Sequence, residues 1–178
     1  MKPTQLRIAL AAAAAISIVP MTASAFDYNY VEGGYVHRDN KFSDDGGFRL
    51  AGSFGFLPQL AAFAEYGNTN SFDQLTAGVL FHTPINEVLD FNAGASLENY
   101  NGHGHNDTGF GLRGGVRWNV VPGQWELNPE VRYVHVSGNN ETSARVGALY
   151  HINRNFSFNA ALQGGDDDRV EAGVRYSF

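Results

Sequence analysis

The feature that most constrains this chain is an alternation of apolar and polar residues that recurs many times and runs to the last residue. In the C-terminal stretch RVEAGVRYSF, at 169–178, apolar side chains occupy every second position from Val170 to Phe178. A period of two is typical of a β-strand with one apolar and one polar face. Because a free chain end normally frays, a strand that includes the last residue must be held by a neighbouring strand.

Ten segments show this alternation, and two kinds of connection separate them. The segments are 31–37, 48–56, 60–66, 74–82, 89–100, 110–120, 125–136, 143–151, 156–164 and 169–178. Short turns alternate with mostly longer polar loops, which are 38–46, 67–73, 101–107, 137–142 and 165–168. This layout is typical of a transmembrane β-barrel with short periplasmic turns and longer extracellular loops. The sequence therefore predicts an all-β fold, a closed antiparallel transmembrane β-barrel of about ten strands, with eight as the alternative and both termini periplasmic.

Residues 1–25 have the order of a secretory signal peptide. Lys2 and Arg7 precede twelve apolar or small residues at 8–19, and Pro20 and the small residues at 23–25 follow. A membrane-spanning helix needs about 20 residues, so this apolar run is too short to be one. We therefore expect cleavage after residue 25 and a barrel domain at 26–178.

The domain at 26–178 is acidic and contains no cysteine. It carries 10 Lys and Arg residues against 18 Asp and Glu residues. This balance argues against nucleic acid as a partner, because phosphates need a basic surface. Without disulfides, an exported chain of this size must be stabilised by its fold or its surroundings.

The two faces of the strands favour a membrane barrel over a soluble sandwich. The less apolar face carries seven acids and seven arginines: Glu32, Glu65, Asp90, Glu98, Glu126, Glu130, Glu171, Arg49, Arg113, Arg117, Arg132, Arg145, Arg169 and Arg175. The planar fork of arginine bridges carboxylates in a confined space, so we expect a Glu/Arg network that fills the lumen. The other face carries aromatic residues near the strand ends, as expected for interfacial girdles.

Two sets of residues in the predicted loops could bind metal ions. His103, His105 and Asp107 alternate on one loop and could ligate a transition metal, but three ligands without a fourth are a weak signal. Hard divalent cations, which bridge lipopolysaccharide phosphates, favour oxygen ligands. The loop acids are Asp39, Asp44, Asp45, Asp73, Asp107, Glu141, Asp166, Asp167 and Asp168. Solvation of the loops is the favoured interpretation of both sets, and we expect no metal or other cofactor.

The stretch RYVHVSGNNE at 132–141 is the sharpest candidate for catalysis. It places His135 and Ser137 two residues apart at a strand end, with Glu141 across the loop. A serine with a histidine base and an orienting carboxylate is the set used for acyl transfer. A His-x-Ser motif on the outward face of a barrel strand resembles the lipid A deacylase family. We favour a polar strand end without catalysis and keep a deacylase-like hydrolase as the alternative.

The first strand and loop, and the last strand, each carry a resemblance. The stretches YNYVEGGYV at 28–36 and DNKFSDDGG at 39–47 are similar to the mature start and first loop of the diffusible-signal-factor-regulated family of small outer-membrane barrel proteins. That resemblance implies an outer-membrane protein without a known catalytic set. The final strand ending on Phe178 resembles the signal read by the barrel assembly machinery, which implies a role for Phe178 in assembly.

These inferences together predict a small protein of the bacterial outer membrane with a structural or cell-surface interaction role. The expected partners are outer-membrane lipid, lipopolysaccharide and the barrel assembly machinery, and no nucleic acid. Besides the hydrolase, a narrow porin-like channel is the second alternative, although long side chains leave little room in the lumen of a small barrel.

Overall fold

The strands of this chain close into one barrel. The computed structural model describes residues 26–40, 43–70, 72–102 and 105–178. The strands are β1 (Tyr30–Asn40), β2 (Ser43–Leu57), β3 (Leu60–Thr69), β4 (Phe72–Asn86), β5 (Leu89–Gly102), β6 (His105–Val121), β7 (Trp125–Val136), β8 (Asn139–His151), β9 (Phe156–Gly165) and β10 (Asp168–Ser177). Consecutive strands pair antiparallel, and β10 pairs with β1. The prediction of a closed antiparallel barrel is confirmed with ten strands, and the alternative of eight is wrong.

The closing ladder explains how the last residues are held. It runs from the pair Tyr30 and Ser177 to the pair Asp39 and Asp168. Phe178 lies one residue beyond β10, and its N–H still donates to the carbonyl of Asn29 at 3.1 Å. Closure removes the free sheet edges that would otherwise expose unpaired backbone groups. The predicted signal peptide at 1–25 lies outside the described residues and stays a prediction.

The outward surface of the barrel is apolar. Leu97 and Leu162 are 74% and 64% exposed, and Phe54, Phe158 and many valines and leucines are exposed as well. Exposing such a surface to water costs roughly 25 cal/mol per Å², a cost that hydrocarbon removes. The alternating polar residues lie inside, and Thr76, Asp90 and Glu126 are almost fully buried. The fold is thus that of an outer-membrane β-barrel, as the sequence predicted. No helix among the described residues is long and apolar enough to cross a membrane.

The two ends of the barrel differ, though not as the sequence indicated. We call the end that carries Tyr30 and Ser177 the terminal end, and the opposite end the distal end. Two residues separate the paired strands at every distal connection, whereas two to four residues separate them at the terminal end. The prediction of longer distal loops is therefore wrong.

Polar residues of the predicted loops continue the strands instead. Arg38 pairs with Asp45, Asn68 with Asp73, and Asn101 with Asn106 in the hairpin ladders. Strand ends that rise above the lipid meet water on their outer face, so polar side chains are tolerated there. Polar residues at these positions therefore indicate that the strand has passed beyond the lipid, and they do not indicate that the strand has ended.

Candidate functional site

The candidate site is the lumen, whose middle is crossed by nine charged side chains from seven strands. We call them the central cluster: Glu32, Arg49, Glu65, Arg113, Glu130, Arg132, Arg145, Glu171 and Arg175. Glu65 on β3 accepts hydrogen bonds from Arg49 Nη2 at 2.9 Å, Arg113 Nη1 at 2.6 Å and Arg132 Nη2 at 3.0 Å. Arg113 and Arg132 lie on β6 and β7, three and four strands away around the ring. The contacts of Glu65 therefore span the lumen from one wall to the other.

The rest of the central cluster extends this network along the wall formed by β8, β10, β1 and β2. Glu32 accepts from Arg49 Nη1 at 2.5 Å and from Arg175 Nε at 2.9 Å. Arg145 Nη2 donates to Glu171 at 2.7 Å, and Arg132 Nε donates to Glu130. Five arginines thus face four glutamates, which leaves one excess positive charge in this layer.

A second group of polar side chains closes the lumen nearer the distal end. We call it the distal cluster: Arg38, Gln74, Thr76, Ser96, Glu98, Gln163, Asp167 and Arg169. Arg38 Nε donates to Asp167 at 2.5 Å, and Arg169 pairs with the same carboxylate. Arg169 Nη2 also donates to Gln74 Oε1 at 2.7 Å, which joins β10 to β4 across the lumen.

The two carboxylates of the distal cluster are satisfied in different ways. Burial acts to raise the pKa of Asp167, but the guanidinium groups of Arg169 and Arg38 outweigh it and lower that pKa to about 2. Glu98 instead accepts from neutral donors, at 2.5 Å from Thr76 Oγ1 and 2.7 Å from Ser96 Oγ. Asp167 is therefore held ionised between two arginines, as expected for a carboxylate paired with opposite charges.

At the terminal end, the four residues before β1 fold into the mouth of the barrel. We call Phe26–Asn29 the terminal segment; Phe26 and Tyr28 are only 6% and 5% exposed. Tyr28 stacks on His82, with ring centroids 3.7 Å apart, and its hydroxyl donates to Asp90 at 3.2 Å. The chain thus fills this mouth with its own aromatic residues.

Arg117 on β6 joins the terminal segment to the barrel wall. Its Nη1 donates to the carbonyl of Asp27 at 2.6 Å. Its Nε and Nη2 donate to Glu126 at 2.7 and 3.0 Å, the paired geometry that makes arginine–carboxylate contacts strong. The guanidinium also lies over the rings of Phe26 and Tyr28, at 5.1 and 4.7 Å from their centroids.

The central cluster, the distal cluster and the terminal segment divide the space inside the barrel. Cavities of about 410 and 220 Å³ lie at the terminal and distal mouths. Between them lie two smaller inner cavities, one of about 90 Å³ beside the central cluster and one of about 20 Å³ between the central and distal clusters. Since one water occupies about 30 Å³, the larger inner cavity has the volume of about three water molecules, and the smaller one has room for at most one.

Comparison with solved structures agrees with this architecture. The chain is similar to the KdgM porin, with 16% identity, a TM-score of 0.54, and coverage of 84% of this chain and 99% of that one. It is also similar to the KdgM porin in complex with disordered oligogalacturonate, with 12% identity, a TM-score of 0.50, and coverage of 86% and 99%. The shared feature is the fold of a small outer-membrane barrel. At these identities the likeness shows the fold alone.

No protein-family model and no curated protein sequence matches the chain. The resemblance to the diffusible-signal-factor-regulated family therefore stays a prediction.

The residues expected to fill the lumen occupy all three layers of this small outer-membrane barrel. Nine of these fourteen residues form the central cluster, Glu98 and Arg169 lie in the distal cluster, and Asp90, Arg117 and Glu126 lie at the terminal mouth. Phe178 lies on the outer surface of the terminal end beside Tyr176, with ring centroids 6.4 Å apart.

The structure does not bring the candidate catalytic residues together. His135 faces outward, with its Nδ1 2.6 Å from Asn140 Oδ1 and its ring 5.4 Å from that of Phe110. Glu141 lies opposite Val134 in the ladder and lines the small inner cavity, so it faces the lumen. Ser137 is in the turn, where it has a φ of 51° and Gly138 a φ of 78°, as in a type I′ hairpin turn. These positions do not form an acyl-transfer site.

The proposed metal ligands are only partly described. His103 and the side chain of His105 lie outside the described residues, and Asp107 lines the distal mouth. Among the residues whose side chains are described, no group of three His, Cys, Asp or Glu could hold a metal ion. Two of the loop acids instead bind backbone N–H groups, Asp166 that of Thr142 at 2.8 Å and Asp168 that of Gly165 at 2.9 Å.

Sequence reasoning missed the residues that close the two ends of the lumen. Arg38 and Asp167 were assigned to loops, although the two form an ion pair inside the lumen. They are 129 positions apart in the sequence, so no local pattern indicates this contact. Tyr28 and His82 were not considered, although Phe26, Tyr28 and Tyr30 alternate into the start of β1. That short aromatic alternation is the one local signal that could have indicated a buried terminal segment.

Proposed function

We propose that this protein is a non-conducting, non-catalytic barrel of the outer membrane with a structural or cell-surface interaction role. Its distal end faces the outside of the cell, and its partners are outer-membrane lipid, lipopolysaccharide and the barrel assembly machinery. The observation that carries the proposal is the binding of one carboxylate, Glu65, by three arginines from both walls of the lumen.

The energetics of buried charge support a closed lumen. A passing ion or sugar has to separate Glu65 from Arg113 and Arg132, and removing one partner of a buried ion pair costs about 3–5 kcal/mol. The distal contact between Arg169 and Gln74 and the terminal contact between Arg117 and Asp27 add two further barriers in series. A solute therefore meets three separate obstructions between the two mouths.

The alternative of a narrow channel is not favoured by the charges in the lumen. The KdgM porin, whose fold is similar, forms a complex with oligogalacturonate. A channel that attracts anions needs arginines that are free to bind them, whereas the arginines of the central cluster are engaged by Glu32, Glu65, Glu130 and Glu171. We therefore expect no steady flux of charged sugars through the wild-type barrel.

Conductance in planar bilayers tests the closed lumen. We expect the wild-type protein to show little or no conductance and Glu65→Ala to open repeatedly, because Arg49, Arg113 and Arg132 then lose the carboxylate that they share and repel one another. Glu87→Ala, in an exposed terminal turn, is the matched control and should stay closed. Steady openings of the wild type would overturn the proposal, as would a Glu65→Ala barrel that remains as silent as the control.

A lipid A assay tests the non-catalytic part of the proposal. The purified protein in detergent should release no fatty acid from lipid A, because His135, Ser137 and Glu141 point in different directions. Release by the wild type that is lost in Ser137→Ala would restore the hydrolase alternative.

A further inference from the structure

The mouth at the distal end holds a cavity of about 220 Å³ that combines aromatic and acidic side chains. We call it the distal cavity. The rings of Phe72 and Tyr100 line it together with the carboxylates of Asp107 and Glu141. All four residues are partly exposed, so a ligand that enters the mouth can contact their side chains.

Neighbouring strands bring these side chains to the mouth. Tyr100 on β5 lies directly opposite Asp107 on β6 in the ladder, and residues in this relation have Cβ atoms about 4.5–5.5 Å apart. Phe72 on β4 contacts Tyr100 edge to face, with ring centroids 5.0 Å apart. Glu141 comes from β8, and β7 separates it from Asp107. The two carboxylates therefore face the cavity from different parts of its rim.

The aromatic wall of the distal cavity is held in place by the barrel itself. The hydroxyl of Tyr100 accepts a hydrogen bond from Gln74 Nε2 at 3.3 Å. The guanidinium of Arg38 lies over the ring of Phe72, 4.5 Å from its centroid. Aromatic faces attract cations because they carry partial negative charge. Among the described residues no cation lies over Tyr100 in this way, so its ring is the one assigned to a ligand.

The two carboxylates of the distal cavity have no partner of their own. Among the described residues, Asp107 and Glu141 neither accept a hydrogen bond nor form an ion pair. The arginines of this end, Arg38 and Arg169, are both paired with Asp167. An ionised carboxylate is an acceptor only, and its strongest partners are cationic donors. The cavity therefore offers two acceptors that suit an ammonium group.

The distribution of charge along the barrel also favours a cation. The domain at 26–178 has 18 acids and 10 basic residues, a net charge of −8. Ten of the acids lie at the distal end, namely Glu98 and the nine loop acids, against only Arg38, Arg169 and Lys41, the last of which lies outside the described residues. The distal end thus carries −7 of the net charge. A surface of one sign raises the local concentration of ions of the other sign.

We propose that the distal cavity binds a short linear diamine, with its ammonium groups at Asp107 and Glu141 and its alkyl chain against Tyr100. Two carboxylates on separate strands suit a ligand with two ammonium groups better than a ligand with one. A cavity of about 220 Å³ has the volume of about seven water molecules, which is enough for a diamine of the size of putrescine.

A metal ion fits the distal cavity less well than a diamine. Hard divalent cations take about six or more oxygen ligands, and no group of three His, Cys, Asp or Glu side chains comes together among the described residues. An ion also makes no use of the aromatic wall. The proposal rests on the cell-surface role proposed above, for which it names the class of ligand.

Isothermal titration calorimetry of the detergent-solubilised barrel at constant ionic strength tests the proposal. Putrescine should bind with one molecule per barrel. Butylamine has the same alkyl chain and a single ammonium group, so its dissociation constant should be about tenfold higher or more. Magnesium chloride should neither bind with a comparable affinity nor displace putrescine.

Three variants and one control make the titration specific. Glu141→Gln and Asp107→Asn each remove one charge, so each should raise the dissociation constant of putrescine about tenfold and reduce its advantage over butylamine. Tyr100→Leu should raise the dissociation constant several-fold for both amines. Asp39→Asn is the matched control, because Asp39 is exposed on the outer face of the same end, and it should bind putrescine as the wild type does.

The proposal is wrong if putrescine does not bind the wild type, if butylamine or magnesium binds equally well, or if Asp39→Asn weakens binding as much as the cavity variants do. The last result would mean that the amine only follows the general charge of the distal end. Conductance is a separate outcome. A wild-type barrel that conducts would overturn the closed lumen and leave diamine binding intact, whereas a silent barrel that binds no diamine would overturn the ligand alone.

Discussion

The terminal and distal ends of this barrel close the same lumen by different means. At the terminal end, the chain folds Phe26 and Tyr28 into the mouth. The three register shifts seen among the described residues, near Gly55, Pro84 and Asn119, also lie at this end. At the distal end, the strands pair regularly up to two-residue connections, and the lumen is crossed by side chains such as Arg38 and Arg169.

This difference shows that a barrel can be closed by packing at one end and by ion pairs at the other. Apart from Asn29, whose carbonyl accepts from the N–H of Phe178, the terminal segment lies outside the ladder. It depends on aromatic contacts, on the hydrogen bond of Tyr28 to Asp90 and on Arg117. The distal side chains are fixed by strands that are themselves held on both sides. The closure of the terminal end should therefore depend strongly on Arg117, whereas the closure of the distal end should depend on several side chains together.

Removing the arginine at each end is the strongest test of this comparison. We expect Arg117→Met to lower the free energy of unfolding by about 3–5 kcal/mol, because it leaves Glu126 buried without its main partner. Arg38→Met should cost clearly less, because Asp167 keeps Arg169 as its partner. Urea unfolding in detergent measures both variants against the wild type.

The same pair of variants shows whether the terminal segment is released. In Arg117→Met the amides of Phe26–Asn29 should exchange hydrogen faster, because Asp27 loses the guanidinium that binds its carbonyl, while Arg38→Met should leave this exchange unchanged. Equal losses of stability in the two variants would mean that the ends are built alike.

Acid should weaken the distal end through Asp167. The pKa of this carboxyl is about 2 in the folded barrel and about 3.9 in an unfolded chain. A lowered folded-state pKa means that the stabilisation is complete above about pH 4 and is lost as the pH falls through 2. The expected loss is about 2 kcal/mol, and it should make the distal ladder between β9 and β10 exchange hydrogen faster.

Asp167→Asn is the control for this acid effect. The variant should be less stable than the wild type at pH 6, and the gap between the two should shrink by about 2 kcal/mol between about pH 5 and pH 2 when measured by urea unfolding. A gap that stays constant over this range would mean that Asp167 contributes nothing through its charge.

The strands and their two faces could be predicted because lipid and lumen impose opposite demands on alternate residues. Leu97 and Glu98 are neighbours in the sequence, and the first is 74% and the second 3% exposed. This contrast is local, so it is visible in the sequence with a period of two. The Glu/Arg composition of the lumen was visible for the same reason.

The partners within the lumen could not be predicted, because they depend on register and on which strands face each other. Glu65 contacts Arg113 and Arg132, which come 48 and 67 residues after it in the sequence. The predicted distal loops were wrong because a two-residue turn such as Ser137 and Gly138 needs only two positive φ angles, and polar residues beside it can remain in the ladder. The structure does not bring the candidate catalytic residues together for a related reason, since β8 returns with Glu141 on the opposite face from His135.

The smallest effect on the folded barrel is expected at Phe178, where the terminal end meets the lipid. This side chain is 57% exposed on the outer surface and contacts Tyr176, so its deletion should cost only about 1 kcal/mol in a barrel refolded in detergent. In cells we expect a larger effect, because the resemblance of the last strand to an assembly signal implies a role for Phe178 before the barrel closes. Phe156→Ala is the matched control, since Phe156 also packs beside Tyr176, with centroids 5.0 Å apart. The amounts of the two variants in purified outer membranes decide the matter: the deletion should be much scarcer than Phe156→Ala, and equal amounts would make Phe178 an ordinary residue of the aromatic girdle.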